Sequence, residues 1–205
     1  MMKIHLKNNT KTTYIISVDN EIWGILPAKI LPFFSLYPNL EKELPTSEKD
    51  KILIEIKKYS WNRLLNFLAY RERSIGECRS FLQKQFLLPQ IMESLIEKAL
   101  HKNFINDERF AEMYVQDLLG KNKNKTEIKT KLIGKHISKS LIDKVITKYF
   151  TNEMEEQVLS ANYNKAINRF NNIPAAVRKE KILNYLTRKG FSYWQVKEKM
   201  EKDGY

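Results

Sequence analysis

The pattern of apolar and polar positions changes character once along this chain. Near the start, Thr12–Val18 and Ile22–Leu26 are rich in Thr, Ile, Tyr and Trp, residues that suit a pleated, half-buried strand. Asp19 and Asn20 between them tolerate the left-handed backbone that closes a two-residue turn, so the two segments are expected to pair as a hairpin. Pro27, Pro32, Pro38 and Pro45 then punctuate the sequence, which limits any helix between Ala28 and Ser35 to a short one and makes Leu36–Thr46 mainly loop. No further proline occurs until Pro89. Ser47 with Asp50 is a plausible N-terminal box for a helix that turns Ile52, Ile54 and Ile56, then Trp61, Leu64, Leu65 and Leu68, toward a core.

Beyond that point apolar residues recur at three- and four-residue steps, the period of a helix with one buried face. The pattern also repeats. Sliding the sequence against itself by 50 positions places Glu77 on Glu127, Cys78 on Ile128, Leu82 on Leu132, Leu87 on Ile137, Ile91 on Leu141, Leu95 on Val145 and Ile96 on Ile146. In the same register Leu64, Leu65 and Leu68 fall on Tyr114, Val115 and Leu118, so the match takes in a leading helix. A further shift of 54 brings Ile128 onto Ile182, Leu132 onto Leu186, Ile137 onto Phe191 and Ile142 onto Val196, with a looser leading helix.

Cap signals fall at matching places. Ser74 with Glu77, Asn124 with Glu127 and Ser192 with Gln195 can each satisfy exposed backbone donors at a helix start. Ser138 is equivalent to Ser192, and Pro89 stands at a first-turn position where its missing N–H costs nothing. The expected fold is therefore mostly α: three tandem three-helix repeats preceded by a small β-hairpin plus helix. The boundaries read as 1–59 for the extension, then 60–106, 107–152 and 153–205 for the repeats. Modules this small bury little surface alone, so they are expected to stack into an elongated row that can curve.

Composition narrows the function. Hydrophobic residues make up 42% and charged residues 29% of the 205, a globular balance. There are 36 Lys and Arg against 24 Asp and Glu, and the resulting +12 favours a polyanionic partner or an acidic protein surface, although base-composition bias also enriches Lys, Asn and Ile. Residues 1–59 hold nine lysines and seven acids, so +10 of that charge lies in the helical part.

No stretch has the apolar length of a membrane span and Met1–Lys7 has no uninterrupted apolar core of a signal peptide, so a cytoplasmic protein with no membrane partner is expected. A single cysteine, Cys78, excludes an internal disulfide and a multi-cysteine zinc site. His5, His101 and His136 are far apart in sequence, and no Gly-rich phosphate loop, nucleophile elbow or zinc-protease motif is present, which points away from metals, cofactors and catalysis.

Tyr70-Arg71-Glu72-Arg73-Ser74 followed by Glu77, and Asn106-Asp107-Glu108-Arg109-Phe110-Ala111 followed by Tyr114-Val115, resemble the two signature stretches of the RecX family. Arg188-Lys189-Gly190-Phe191-Ser192 resembles the pattern of that family's third repeat. The likeness spans Trp61–Met200, and the lead-in at Thr12–Lys58 resembles an extension that some members carry. One departure stands out: the glycine usual between the second and third helices is present as Gly190 but replaced by Phe86 and His136 in the first two repeats. The resemblance implies a non-enzymatic regulator that lies along the RecA–DNA filament and alters its growth, strand exchange and ATP use. DNA itself, single- or double-stranded, would be a weaker or indirect partner, and a monomer is expected.

Candidate contact residues follow from charge placed off the apolar stripes. The densest cluster is Lys121, Lys123, Lys125, Lys129, Lys131 and Lys135. Arg71, Arg73, Arg79 and Lys84 form a group in the first repeat, and Arg178, Lys179, Lys181, Arg188 and Lys189 another in the third. Such clusters pair with phosphates or acidic protein patches; singly, each lysine is more often part of a solvated face, here helped by Glu127 and Lys131 four residues apart. Arg71, Arg73, Asp107, Glu108 and Arg109 also fit a structural role as caps and ion pairs. Cys78, equivalent to Ile128 and Ile182, is expected in the core; Trp61, Tyr185, Phe191 and Trp194 could stack on bases, but they fall in step with the module cores and are expected to pack there. The alternative from another class is a direct DNA binder that presents a recognition helix to the major groove and acts without RecA.

Overall fold

In a computed structural model, which describes residues 1–38 and 42–204, the chain divides into two compact units, one of residues 1–106 and one from Asp107 onward. The first opens on an antiparallel sheet of β1 (Met2–Thr10), β2 (Thr13–Val18), β3 (Glu21–Pro27) and β4 (Lys42–Leu44), in the order β3-β2-β1-β4. The expected hairpin is β2–β3. Asp19 and Asn20 take φ of 48° and 70°, the two left-handed positions of a type I′ turn, whose twist matches the flanking strands.

Two strands lie outside the sequence expectation. In β1 the apolar side chains alternate as Met2 and Ile4, both buried, but the polar run Lys7–Thr10 that continues the strand reads as loop. β4 replaces part of the expected Leu36–Thr46 loop with a short pairing to β1, Met2 opposite Leu44 and Ile4 opposite Lys42, while residues 39–41 of that expectation lie outside the described residues. The short helix after β3 is present as a 3-10 helix, Ala28–Phe34.

Helix α1 (Lys49–Ala69) runs unbroken through residues 59 and 60, so the helix that closes the extension also opens the first repeat. Its start differs from expectation. Thr46–Glu48 form a 3-10 turn, the N-cap is Glu48, and no side chain caps the helix, so the Ser47 box does not form. Ile52, Ile56 and Leu64 are buried, whereas Ile54 is 59% exposed because two residues of helix carry it about 200° round from Ile52. The sheet rides closely on α1: a Cβ at Gly24 would come within 2.7 Å of Ile56 Cγ2 and 2.9 Å of Leu87 Cδ2, so β3 needs glycine there.

The remaining helices follow the repeat. After α1 come α2 (Ile75–Gln83) and α3 (Pro89–His101); the second unit contains α4 (Asp107–Gly120), α5 (Lys125–Ile133) and α6 (Lys139–Tyr149), then α7 (Asn152–Arg169), α8 (Ala175–Arg188) and α9 (Tyr193–Lys202). Capping boxes form at Ser74/Glu77, Asn124/Glu127 and Ser192/Gln195, Ser138 caps α6, and Pro89 opens α3.

Equivalent positions share environments where the second helix meets the third. Cys78, Ile128 and Ile182, and likewise Leu82, Leu132 and Leu186, are all fully buried, and Ile96, Ile146 and Met200 are 1–3% exposed. The leading helices are looser: Leu64 is buried while Tyr114 is half-buried, and for Leu65 and Val115 the order reverses. The turns that end α2, α5 and α8 place Phe86, His136 and Gly190 at φ of 55°, 60° and 97°, so the left-handed turn persists without glycine in two of three repeats. No helix among the described residues is long and apolar enough to cross a membrane.

Candidate partner-binding surface

Many of the basic residues are already engaged within their own repeat. In the first, Arg71 forks onto Glu77 at 2.7 and 3.1 Å and so holds the acid of the α2 capping box. Arg73 lies 4.0 Å from the Phe67 ring centroid and donates to the Phe67 carbonyl; burial and neighbouring Arg71 lower its pKa. Arg79 pairs with Glu93 at 2.8 Å, and Lys84 is exposed. In the second repeat, Lys121 pairs with Asp117 at 2.7 Å and Lys123 with Glu127 at 2.9 Å. Glu127 is therefore held from the preceding loop and by its own cap, and not by Lys131, which stays exposed. Lys125 is exposed with its ammonium 5.9 Å from the Phe150 ring centroid, Lys129 pairs with Asp143 at 2.9 Å, and Lys135 is half-buried.

Two of these pairs are one feature repeated. Arg79–Glu93 joins α2 to α3, and Lys129–Asp143, exactly one repeat of 50 residues along, joins α5 to α6. The hydrogen bond from Arg79 holds the Glu93 carboxyl below its ordinary range, and that from Lys129 does the same for Asp143. At the third-repeat equivalents stand Leu183 and Lys197, so this brace is absent there. A second ladder joins α6 to α4 through Lys144–Glu108 and Lys148–Glu112, both 2.6 Å; hydrogen bonding lowers the pKa of Glu112 and raises that of Lys148.

The third-repeat cations divide in the same way. Arg178 donates to the carbonyls of Ile173 and Asn171 and tethers the loop before α8. Lys189 donates to Asn162 Oδ1 at 2.9 Å, and its own carbonyl accepts from Asn124 Nδ2. Asn162 Nδ2 in turn reaches the Asn122 carbonyl at 2.9 Å. Asn124 and Asn162, each only 2% exposed, thus link the second and third repeats through backbone groups. A Cβ at Gly190 would sit 3.3 Å from Thr126 Cβ, so the α8–α9 turn fits tightly against the start of α5.

Of the candidate cations, those exposed with no hydrogen-bond, ion-pair or ring partner among the described residues are Lys131, Lys179, Lys181 and Arg188 in the second unit, and Lys84 in the first. Sequence reasoning also places Trp194 in a core, and the structure corrects this. Trp194 is 73% exposed, because it lies two residues from buried Val196 on the opposite side of α9. Its repeat equivalents, Gln90 and Ser140, are polar and exposed, and that was the signal for an outward position. Cys78 and Phe191 are buried as expected, and Trp61 and Tyr185 are half-buried against their cores.

Comparison with known proteins identifies the family that shares this fold. The family model described as RecX, second three-helix domain, matches residues 106–146. A regulatory protein RecX of Clostridium acetobutylicum is 30% identical over 149 residues, covering 70% of this chain and 68% of its own. One of Streptococcus sanguinis is 28% identical over 207 residues, covering 96% and 75%. A crystal structure of a regulatory protein RecX superposes with a TM-score of 0.67 at 25% identity, over 98% of this chain and the whole of the other.

Proposed function

The chain belongs to the RecX family of regulatory proteins, and from that premise we propose that it binds the RecA–DNA filament in the cytoplasm, as a monomer, and lowers recombinase and ATPase activity during recombination and repair. It acts by contact and performs no reaction of its own. The observation that carries this reading is the group of candidate cations left unmatched among the described residues of the second unit, Lys131, Lys179, Lys181 and Arg188. Exposed lysines and arginines without an internal carboxylate gain most from an external acidic or phosphate surface, since binding adds an interaction and breaks none. Each contact is weak at the surface, and a series of them over successive repeats sums to useful affinity without a deep pocket.

Among the other candidate residues, Arg71, Arg79, Lys121, Lys123 and Lys129 would have to leave a carboxylate to serve a partner, while Arg73, Arg178 and Lys189 would have to leave backbone or amide acceptors. We assign them chiefly to holding the repeats. The experiment is a titration of the single-strand-dependent ATPase of RecA from the same organism. Wild-type protein is expected to depress turnover, and a Lys131→Glu, Lys179→Glu, Lys181→Glu variant with an unchanged circular dichroism spectrum is expected to lose most of that effect. Equal depression by the variant refutes the contact assignment.

A further inference from the structure

The three repeats act as internal controls for one another, and they single out the first turn of α9. Positions 89 and 90 of the first repeat are Pro and Gln, positions 139 and 140 of the second are Lys and Ser, and all four are exposed. In the third repeat the same two positions are Tyr193 and Trp194, 48% and 73% exposed, with their rings in edge-to-face contact at 5.4 Å. The fold therefore requires no large apolar group there, yet the third repeat places two on the surface. A second change accompanies the first. Where the other repeats carry the brace carboxylates Glu93 and Asp143, the third carries Lys197, and the basic partner of the brace becomes Leu183. Lys197 instead lies 5.6 Å from the Trp194 ring centroid. A surface ion pair has been exchanged for an open indole beside a cation, and Arg188, exposed and unmatched among the described residues, ends the preceding helix.

We propose that the first turn of α9 is a stacking site for an unpaired base of single-stranded nucleic acid, with Trp194 as the platform, Arg188 meeting an adjoining phosphate and Lys197 joining it on leaving its loose 3.8 Å contact with Glu201. The chemistry asks for both elements together: a flat π-face takes any base, and cations take the backbone, whereas a duplex hides its base faces. A protein hot spot is a poorer match. Such a Trp sits in a well-packed, desolvated centre, whereas on α9 Trp194 has Tyr193 on one side and the charged Lys197, Glu198 and Glu201 on the following turns. The two acids do not forbid an anion, because Glu198 pairs with Lys202 at 2.9 Å and Glu201 faces Lys197 at 3.8 Å.

The chain's own fluorescence tests this, because Trp23 is 4% exposed and Trp61 is half-buried, leaving Trp194 as the indole open to a ligand. Full-length protein is titrated with a twenty-residue oligothymidylate without any recombinase present, so the result is independent of the function proposed above. Quenching of indole emission is expected, together with roughly tenfold weaker binding by labelled-oligonucleotide anisotropy in Trp194→Ala, from the usual worth of one stacked base. Trp194→Phe should restore most of the loss, and an abasic strand of equal length should not distinguish the variants. Equal affinity of wild type and Trp194→Ala for oligothymidylate overturns the proposal, as does emission that is unchanged at saturation. A Trp194 signal that responds only to an added protein partner overturns it in favour of a protein contact.

Discussion

At the scale of single residues, the left-handed turn before each third helix shows what the chain demands and what it tolerates. Phe86, His136 and Gly190 all take positive φ, yet only Gly190 does so without steric cost from a side chain. His136 is exposed, so His136→Gly is expected to raise stability by up to ~1 kcal/mol, read as a higher urea midpoint. Gly190→Ala should lower it by about 1 kcal/mol or more, because φ is +97° and the new Cβ presses on Thr126 at 3.3 Å. The Lys129–Asp143 brace makes a different prediction. The Asp143 carboxyl is held below its ordinary value, so the stability it contributes is present above the ordinary carboxylate range and is lost as pH falls through the folded-state value. In Lys129→Ala, an NMR titration of Asp143 should move upward, and the stability difference from wild type should vanish in acid. The buried equivalences of Cys78, Ile128 and Ile182 were readable from spacing alone, since a period fixes a face. Pairing was not: Glu127 has lysines on both sides, and only the loop geometry selects Lys123 over Lys131.

At the scale of elements, caps and turns carried the most information. Ser74, Asn124, Ser138 and Ser192 each cap the helix that their spacing announces, because a side-chain acceptor before a run of orphan N–H groups has few other uses. Asn124 does more than cap. Its Oδ1 accepts from the Glu127 N–H while its Nδ2 reaches the Lys189 carbonyl 65 residues away. Asn124→Ala is expected to cost about 1–2 kcal/mol by urea denaturation, and Asn124→Ser to recover the cap portion but not the link. Strand β1 illustrates the opposite case. Its buried alternation extends over Met2 and Ile4, and Lys7–Thr10 join the sheet through backbone pairing with β2, which leaves no trace in side-chain polarity. The start of α1 deceived for a related reason: Ser47 and Asp50 have the right spacing, but a 3-10 turn shifts the first helical residue to Lys49, and the box cannot close.

At the scale of the whole chain, the repeat explains both the economy of the sequence and the limits of reading function from it. Periodic apolar ridges specify three similar helical modules, and the family membership follows from them together with the relatives they resemble. Charge was legible only as an excess. Of the fifteen basic residues singled out by sequence, the exposed cations without a partner are Lys84, Lys131, Lys179, Lys181 and Arg188 among the described residues, and that division depends on which carboxylates the fold brings near. Trp194 escaped for the complementary reason, since an apolar residue two positions from a buried valine looks like core until its repeat equivalents are seen to be polar. The most direct measurement is the ATP turnover of RecA from the same organism on single-stranded DNA as this protein is added. The account predicts a saturable fall in turnover with wild-type protein, largely abolished by charge reversal at Lys131, Lys179 and Lys181. Turnover that stays constant across the titration, with the protein folded throughout, would contradict it.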